Sequence, residues 1–406
     1  MPFYSAPGVY IQELPGPRSI APVGTSTAAF LGQAPDAGAH PNEAVAINNW
    51  SEFRTEFAAA DNATSTTLSH AVNGFFQNQG SRCFIVNMKQ GDFIGGNDRP
   101  RTGLKLLEEI DEVSIVVAPG YSDPASHEAL TAHCEKMGSR VCILDPPIDV
   151  KNTELLKTVE SAPVPKPATG AAAGAAAAPA ATGPSGLRPR DSGFATYYFP
   201  SIYIVDALNP KGDLVAVPPS GHVAGVWART DGTRGVHKAP ANEPLAGALN
   251  LTYRVTPEEQ GALNPRGVNC IRFFSDEGIR VWGARTLADE SSEWRYVSVR
   301  RLFIMIEQSI LRATKWIVFE PNDRTLWKTI RTEVSGFLRN VYRDGALMGA
   351  SPEEAFFVKC DEETNPQESI DLGQVVTVVG IAPVKPAEFI VFKIAQTAAG
   401  AQVETL

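Results

Sequence analysis

The chain has no excess of positive charge, no paired cysteines and no long apolar run, and each absence removes a class of function. Its 36 basic side chains are outnumbered by 45 acidic ones, for a net charge of -9, so the surface as a whole repels a polyanion and nucleic acid is not expected as a partner. The five cysteines, Cys83, Cys134, Cys142, Cys270 and Cys360, are odd in number, scattered and without a C-x-x-C pair, which fits a reducing compartment better than a stapled secreted domain. No stretch approaches the about eighteen apolar residues of a membrane span, so direct membrane insertion is not expected. The opening residues MPFYSAPG lack the basic start and apolar core of a secretory signal. G-x-x-x-x-G-K-[ST], G-x-G-x-x-G and G-x-S-x-G are missing too, and with them the usual phosphate cradles and nucleophile elbows.

What is present is a 406-residue globular composition, 43% hydrophobic and 20% charged, long enough for two or three domains with real cores. Prolines crowd into the first 22 residues and into 162–189. From Pro167 to Leu187 there is no charge, and Gly170, Gly174, Pro179, Gly183 and Pro184 interrupt the alanines, so 161–190 reads as a flexible surface loop. Before it, strands alternate with helices. Strands are expected over 26–31, 83–86, 113–118 and 141–144, and helices over 50–59, 67–77, 104–110 and 124–137, the signature of an α/β layer. After it, 197–205, 268–274, 278–283, 316–319, 375–381 and 388–394 read as strands. A long helix carries Val299, Leu302, Phe303, Ile306 and Ile310 on one face, a second runs from Pro321 to Gly345, and Ser351-Pro-Glu-Glu predicts a capping box opening a third. This second half reads as α+β.

The search for chemistry yields no site. His127, His133 and Cys134 share a helix, but their spacing does not bring all three to one metal ion. Ser220 and His222 are neighbours without an identifiable acid. Asp361-Glu-Glu363 lacks the alternating ligands of a calcium loop. No catalytic residue, cofactor or metal is expected.

The two chain ends are more informative. Residues 8–13, with Val9, Tyr10, Ile11 and Gln12, form a short extended run fenced by Pro7 and by Pro15-Gly-Pro17. Residues 388–394, set off by Pro383 and Pro386, place Ile390, Phe392 and Ile394 on one face and Phe389, Val391 and Lys393 on the other. A lone strand must join a sheet; pairing within its own chain is the commoner outcome, and donation to a neighbouring copy is the alternative. On the helix after Pro321, Trp327, Ile330, Val334, Phe337 and Val341 make the buried stripe. Arg324, Lys328, Arg331 and Arg339 lie about a quarter of a circle away, either as a solvated face or as a dock for an acidic partner.

Taken together, YSAPGVYIQE at 4–13, GTSTAAFLG at 24–32, VPPSGHVAG at 217–225, RGVHKAPAN at 234–242, LNPRGVNCI at 263–271, GIRVWGART at 278–286, FEPN at 319–322 and APVKPAE at 382–388 resemble contractile-tail sheath proteins of phages, R-type pyocins and extracellular contractile injection systems. The likeness covers nearly the whole chain except about 151–190. It implies a multi-domain α/β and α+β fold: an N-terminal linking arm at 1–20, an inserted outer α/β domain at 21–245, a C-terminal polymerisation domain at 246–382, and a C-terminal linking arm at 383–406. The arms of neighbouring subunits complete the sheet of the polymerisation domain. It also implies a non-enzymatic helical homopolymer of sixfold rings around an inner tube protein, with baseplate and tail terminator or cap proteins as further partners. Members of that family touch the tube through a helix of the C-terminal domain, and the basic residues expected to make that contact here are Arg324, Lys328, Arg331 and Arg339. Assembly in the bacterial cytoplasm, in a phage tail or injection particle released by lysis, follows. The readings set against it are a cytosolic α/β enzyme and a non-contracting filament or shell.

Overall fold

A computed structural model of the chain describes residues 20–59, 63–160, 186–209 and 211–390. The arm residues Val9, Tyr10, Ile11 and Gln12, most of the 161–190 loop, and Val391, Phe392 and Ile394 lie outside them.

The first half alternates as its sequence requires: β1 (Ala28–Gly32), β2 (Ala44–Ile47), α1 (Trp50–Phe57), α2 (Thr67–Gln77), β3 (Cys83–Asn87), β4 (Ile115–Val117), α3 (Pro124–Met137), β5 (Val141–Leu144) and β6 (Ala195–Phe199). The middle holds β7 (Ile202–Val205), β8 (Leu214–Val217), α4 (Ser220–Arg234), β9 (Glu243–Pro244), β10 (Asn250–Leu251), α5 (Pro257–Leu263), β11 (Val268–Phe274) and β12 (Gly278–Val281). The last part holds α6 (Val297–Ala313), α7 (Arg324–Arg343), α8 (Pro352–Ala355), β13 (Phe356–Lys359), α9 (Gln367–Asp371) and β14 (Val378–Ile381).

Among the described residues one sheet has nine strands in the order β2-β3-β1-β4-β5-β6-β11-β12-β9. From β3 to β11 the pairings are parallel, and the edges beyond them are antiparallel. A parallel sheet buried on both faces needs apolar residues at successive positions, and β1 supplies them: Ala28 and Phe30 enter one core, Ala29 and Leu31 the other. The sheet runs through 245/246, where a domain limit is expected, because β11 pairs with β6. A third core begins with α6 and α7 around Leu302, Ile306, Ile330, Val334 and Phe337.

Two of the helices expected in the first half are capped by side chains at their starts. Thr66 and Ser69 exchange side-chain and backbone bonds in front of α2, and Asp123 caps α3, which opens on Pro124 and stops at Gly138 with φ 64°. The segment 217–225 is explained by helix contact. A Cβ on Gly221 would lie 2.4 Å from Ala71 Cα and one on Gly225 2.5 Å from the Phe75 carbonyl oxygen, so glycine lets α4 sit directly on α2.

Several expectations are corrected. Residues 104–110 form a 3-10 turn at Gly103–Glu109, not an α-helix. The apolar run 316–319 pairs with no strand among the described residues; Lys315–Ile317 makes a 3-10 turn and Phe319 is fully exposed. The strand expected over 197–205 breaks at Pro200 into β6 and β7, which join different sheets. Ser351 begins α8 without a side-chain cap, and after one turn the chain becomes β13. The late strand starts at Val378 rather than at 375. Phe389 and Ile390 are in no strand among the described residues.

Candidate functional site

The C-terminal part carries a separate strand pair, β13–β14. The strands are antiparallel, Phe356 opposite Ile381 and Lys359 opposite Val378, and no third strand flanks either among the described residues. Alternate side chains face inward: Phe356, Val358, Val379 and Ile381 pack on the core of α6 and α7. Phe357 remains 56% exposed. A two-stranded ribbon is marginal alone, and two free edges present rows of unpaired backbone donors and acceptors.

The helix beneath it, α7, is positioned by Asp323, whose carboxylate accepts from Leu326 N at 2.8 Å. Its buried stripe is the expected one, Trp327, Ile330, Val334, Phe337 and Val341, widened by Leu326 and Leu338. Arg324, Lys328, Arg331 and Arg339 all face outward. Arg324 pairs with Glu362 at 2.6 Å, with both partners exposed, a contact of little energetic weight.

Beyond β14 the chain runs back across the body. Val384 N donates to Ala346 O at 3.1 Å, and Met348 N donates to Ala382 O at 2.8 Å. Glu388 then meets Arg285, a residue 2% exposed. Sequence reasoning missed this pair, together with β13 and a buried cluster of Arg301, Asp231 and Thr25. Partners 103 or 70 residues apart leave no local signal.

Among the described residues, the polar groups singled out in the sequence have these surroundings. Ser220 Oγ and N both donate to Asp145, the N at 3.1 Å, so the acid absent from the local sequence is present and serves to cap α4. Burial pushes the Asp145 carboxyl up to about 7, against the lowering effect of the Ser220 bonds. His222 is buried against Gly74 with both ring nitrogens unpartnered, and burial, with His70 nearby, holds it down at about 4. His127 lies 3.1 Å from both Glu160 and the Asp145 carbonyl oxygen. His133 contacts Arg140 at 3.4 Å and is lowered to about 4 by burial and that guanidinium. Asp361 accepts from Glu363 N in a turn, and Glu362 and Glu363 pair with Arg324 and Lys359. No group of three or more metal-ligating side chains occurs among the described residues.

Residues 191–287 match the phage tail sheath protein central domain and residues 289–397 the phage tail sheath C-terminal domain. The helical sheath of the anti-feeding prophage in its contracted state superposes with a TM-score of 0.74 at 31% identity, over 97% of this chain and 100% of that one. The chain belongs to the contractile tail sheath family. A second sheath, from an extracellular contractile injection system (the PVC sheath complex in contracted state), gives a TM-score of 0.74 at 30% identity over 98% and 99% of the two chains. The tail sheath protein of Salmonella phage ViI is 31% identical over 184 residues, 45% of this chain but 28% of that protein. The chain thus covers under a third of this phage sheath's length, while it matches the injection-system sheaths end to end.

Proposed function

We propose that the chain is a structural subunit that polymerises helically around an inner tube and contracts to drive that tube through a target envelope. The observation that supports it most is the β13–β14 ribbon, flanked on neither edge by another strand among the described residues and resting on the core of α6 and α7. In this reading the N-terminal arm, with Val9, Tyr10, Ile11 and Gln12, and the C-terminal arm, with Phe389, Ile390, Val391, Phe392 and Ile394, leave their own subunits and pair with those edges on neighbours. At about 1 kcal/mol per net backbone hydrogen bond, about four to six bonds per arm hold copies together while the larger faces slide and repack. The limits 1–20, 21–245, 246–382 and 383–406 describe the corresponding parts, with the sheet as a common floor.

The work comes from the lattice. If each subunit gains even about 1 kcal/mol on repacking, release along many copies exceeds a single nucleotide hydrolysis, and the reading requires no catalytic residue. The exposed Arg324, Lys328, Arg331 and Arg339 are placed against the tube, in an orientation set by the buried face of α7. The further partners are baseplate and terminator or cap proteins, in a particle assembled in the bacterial cytoplasm and freed by lysis.

The test is removal of residues 1–14. The truncated chain should remain folded and monomeric in sedimentation and give no tubes by electron microscopy. Tubes of full length that still contract would refute arm donation.

A further inference from the structure

The last stretch of the described chain is fixed at two places and spans open space between them. The first is the contact with 346–348, where Leu347 and Pro383 bridge. The second is Glu388. Arg285 Nε lies 3.0 and 3.2 Å from its two carboxylate oxygens, and Arg285 Nη2 bonds it as well. Between these points residues 385–387 cross a groove of about 750 Å³ walled by Lys238, Asn242, Gln260 and Trp282, so the segment is a strap and not a packed ribbon. Immediately after Glu388, Phe389 and Ile390 are 76% and 75% exposed.

The arginine is prepared for this contact. Its backbone N donates to Asn269 Oδ1 at 2.7 Å, its carbonyl accepts from Asn269 Nδ2 at 2.8 Å, and its Nη1 donates to Asn264 O at 3.0 Å. Asn269 is fully buried in β11. The guanidinium is therefore held in place by the floor of the large sheet, and the glutamate of the strap is the charge that neutralises it. Breaking such a pair strands a buried cation, so the contact resists release when subunits move.

We propose that Arg285 and Glu388 form a clasp that fixes the take-off point and direction of the C-terminal arm toward a second copy of this chain. Both are positioning residues for polymerisation. The clasp joins two conspicuous sequence stretches, 278–286 and 382–388, into one device. A fixed base reduces the freedom the arm loses on docking, and this lowers the concentration needed to polymerise. The inference rests on the proposed donation of residues 389–394, so its test must separate the two ideas.

Full-length chain is compared with Glu388→Ala, Glu388→Gln and a truncation lacking 391–406, reading the concentration at which half the chain sediments as polymer and the melting temperature of the unassembled chain. The truncation should not polymerise. Glu388→Ala should need at least about tenfold more protein, and Glu388→Gln, which keeps shape and an acceptor but loses the charge, should fall between. All should retain native circular dichroism. If the truncation fails to polymerise while both Glu388 variants polymerise like the parent, the clasp is wrong and arm donation stands. If the truncation polymerises normally, donation of this arm fails and the clasp fails with it. Should Glu388→Ala not fold, the decision passes to Glu388→Gln, whose unchanged polymerisation would overturn the proposal.

Discussion

Replacing Asp231 by alanine removes the acid from a cluster in which three separate parts of the chain meet. Arg301 on α6 bonds both Asp231 oxygens, at 2.9 and 2.6 Å, and donates to the carbonyl of Thr25 at 2.8 Å. The Thr25 hydroxyl donates to the same carboxylate at 2.6 Å, and the guanidinium stacks 4.7 Å from the Trp227 ring centroid. The two charged side chains are 4% and 5% exposed, so the pair is effectively shielded from solvent. Alanine leaves Arg301 with one carbonyl and an aromatic face, and breaking a buried pair in this way costs about 3–5 kcal/mol, a large part of the about 5–15 kcal/mol that stabilises a domain. Urea denaturation of the unassembled chain should show that loss. Asp231→Leu combined with Arg301→Met, which removes both charges, should recover most of it, and the difference between the cycle's arms gives the coupling. A loss below about 1 kcal/mol for Asp231→Ala would show that the cluster does not tie α4, α6 and residue 25 together.

Acid and base responses follow from the buried titrating groups. Asp145 has its pKa raised from 3.8 to about 7, so the folded state retains a proton that the unfolded chain releases. The associated stability is present below about pH 4 and is lost as pH rises through 7, amounting to on the order of 4 kcal/mol. Asp145→Asn should therefore gain on the parent in melting temperature between pH 5 and pH 8, and a constant difference would contradict the burial account. His133 and His222, lowered from 6.5 to about 4, act in the other direction: their contribution is full above pH 6.5 and is lost as pH falls toward 4. Changing Arg324, Lys328, Arg331 and Arg339 together to glutamate should abolish extended sheath on tubes while sparing contracted sheath in electron micrographs. Unchanged assembly on tubes would remove the docking role of α7.

Long periodic stretches were readable without a structure. The ranges 67–77 and 124–137, read from apolar spacing and from the alternation with strands, coincide with α2 and α3, and the buried stripe of α7 follows from its 3.6-residue spacing. Short apolar runs were not, because pairing decides their state. Trp316-Ile-Val-Phe319 has strand composition but pairs with no strand among the described residues, while Phe356–Lys359 lies behind a helix signal and becomes a strand because β14 is beside it. Ion pairs closed across the fold, Arg285 with Glu388 and Arg301 with Asp231, need the tertiary structure to be seen. The sheath family was carried by long motifs in order, among them residues 217–225, whose glycines the α2–α4 contact explains.

The central claim is that this subunit polymerises by lending its ends to the open ribbon of its neighbours. Cryo-electron microscopy of the assembled polymer at a resolution that traces backbone tests it most directly. The account predicts that residues 8–13 and 389–394 of neighbouring copies are hydrogen-bonded to the free edges of β13 and β14, in an extended and in a contracted lattice alike. A polymer in which those edges stay unpaired, or in which both arms fold back on their own chain, would contradict it.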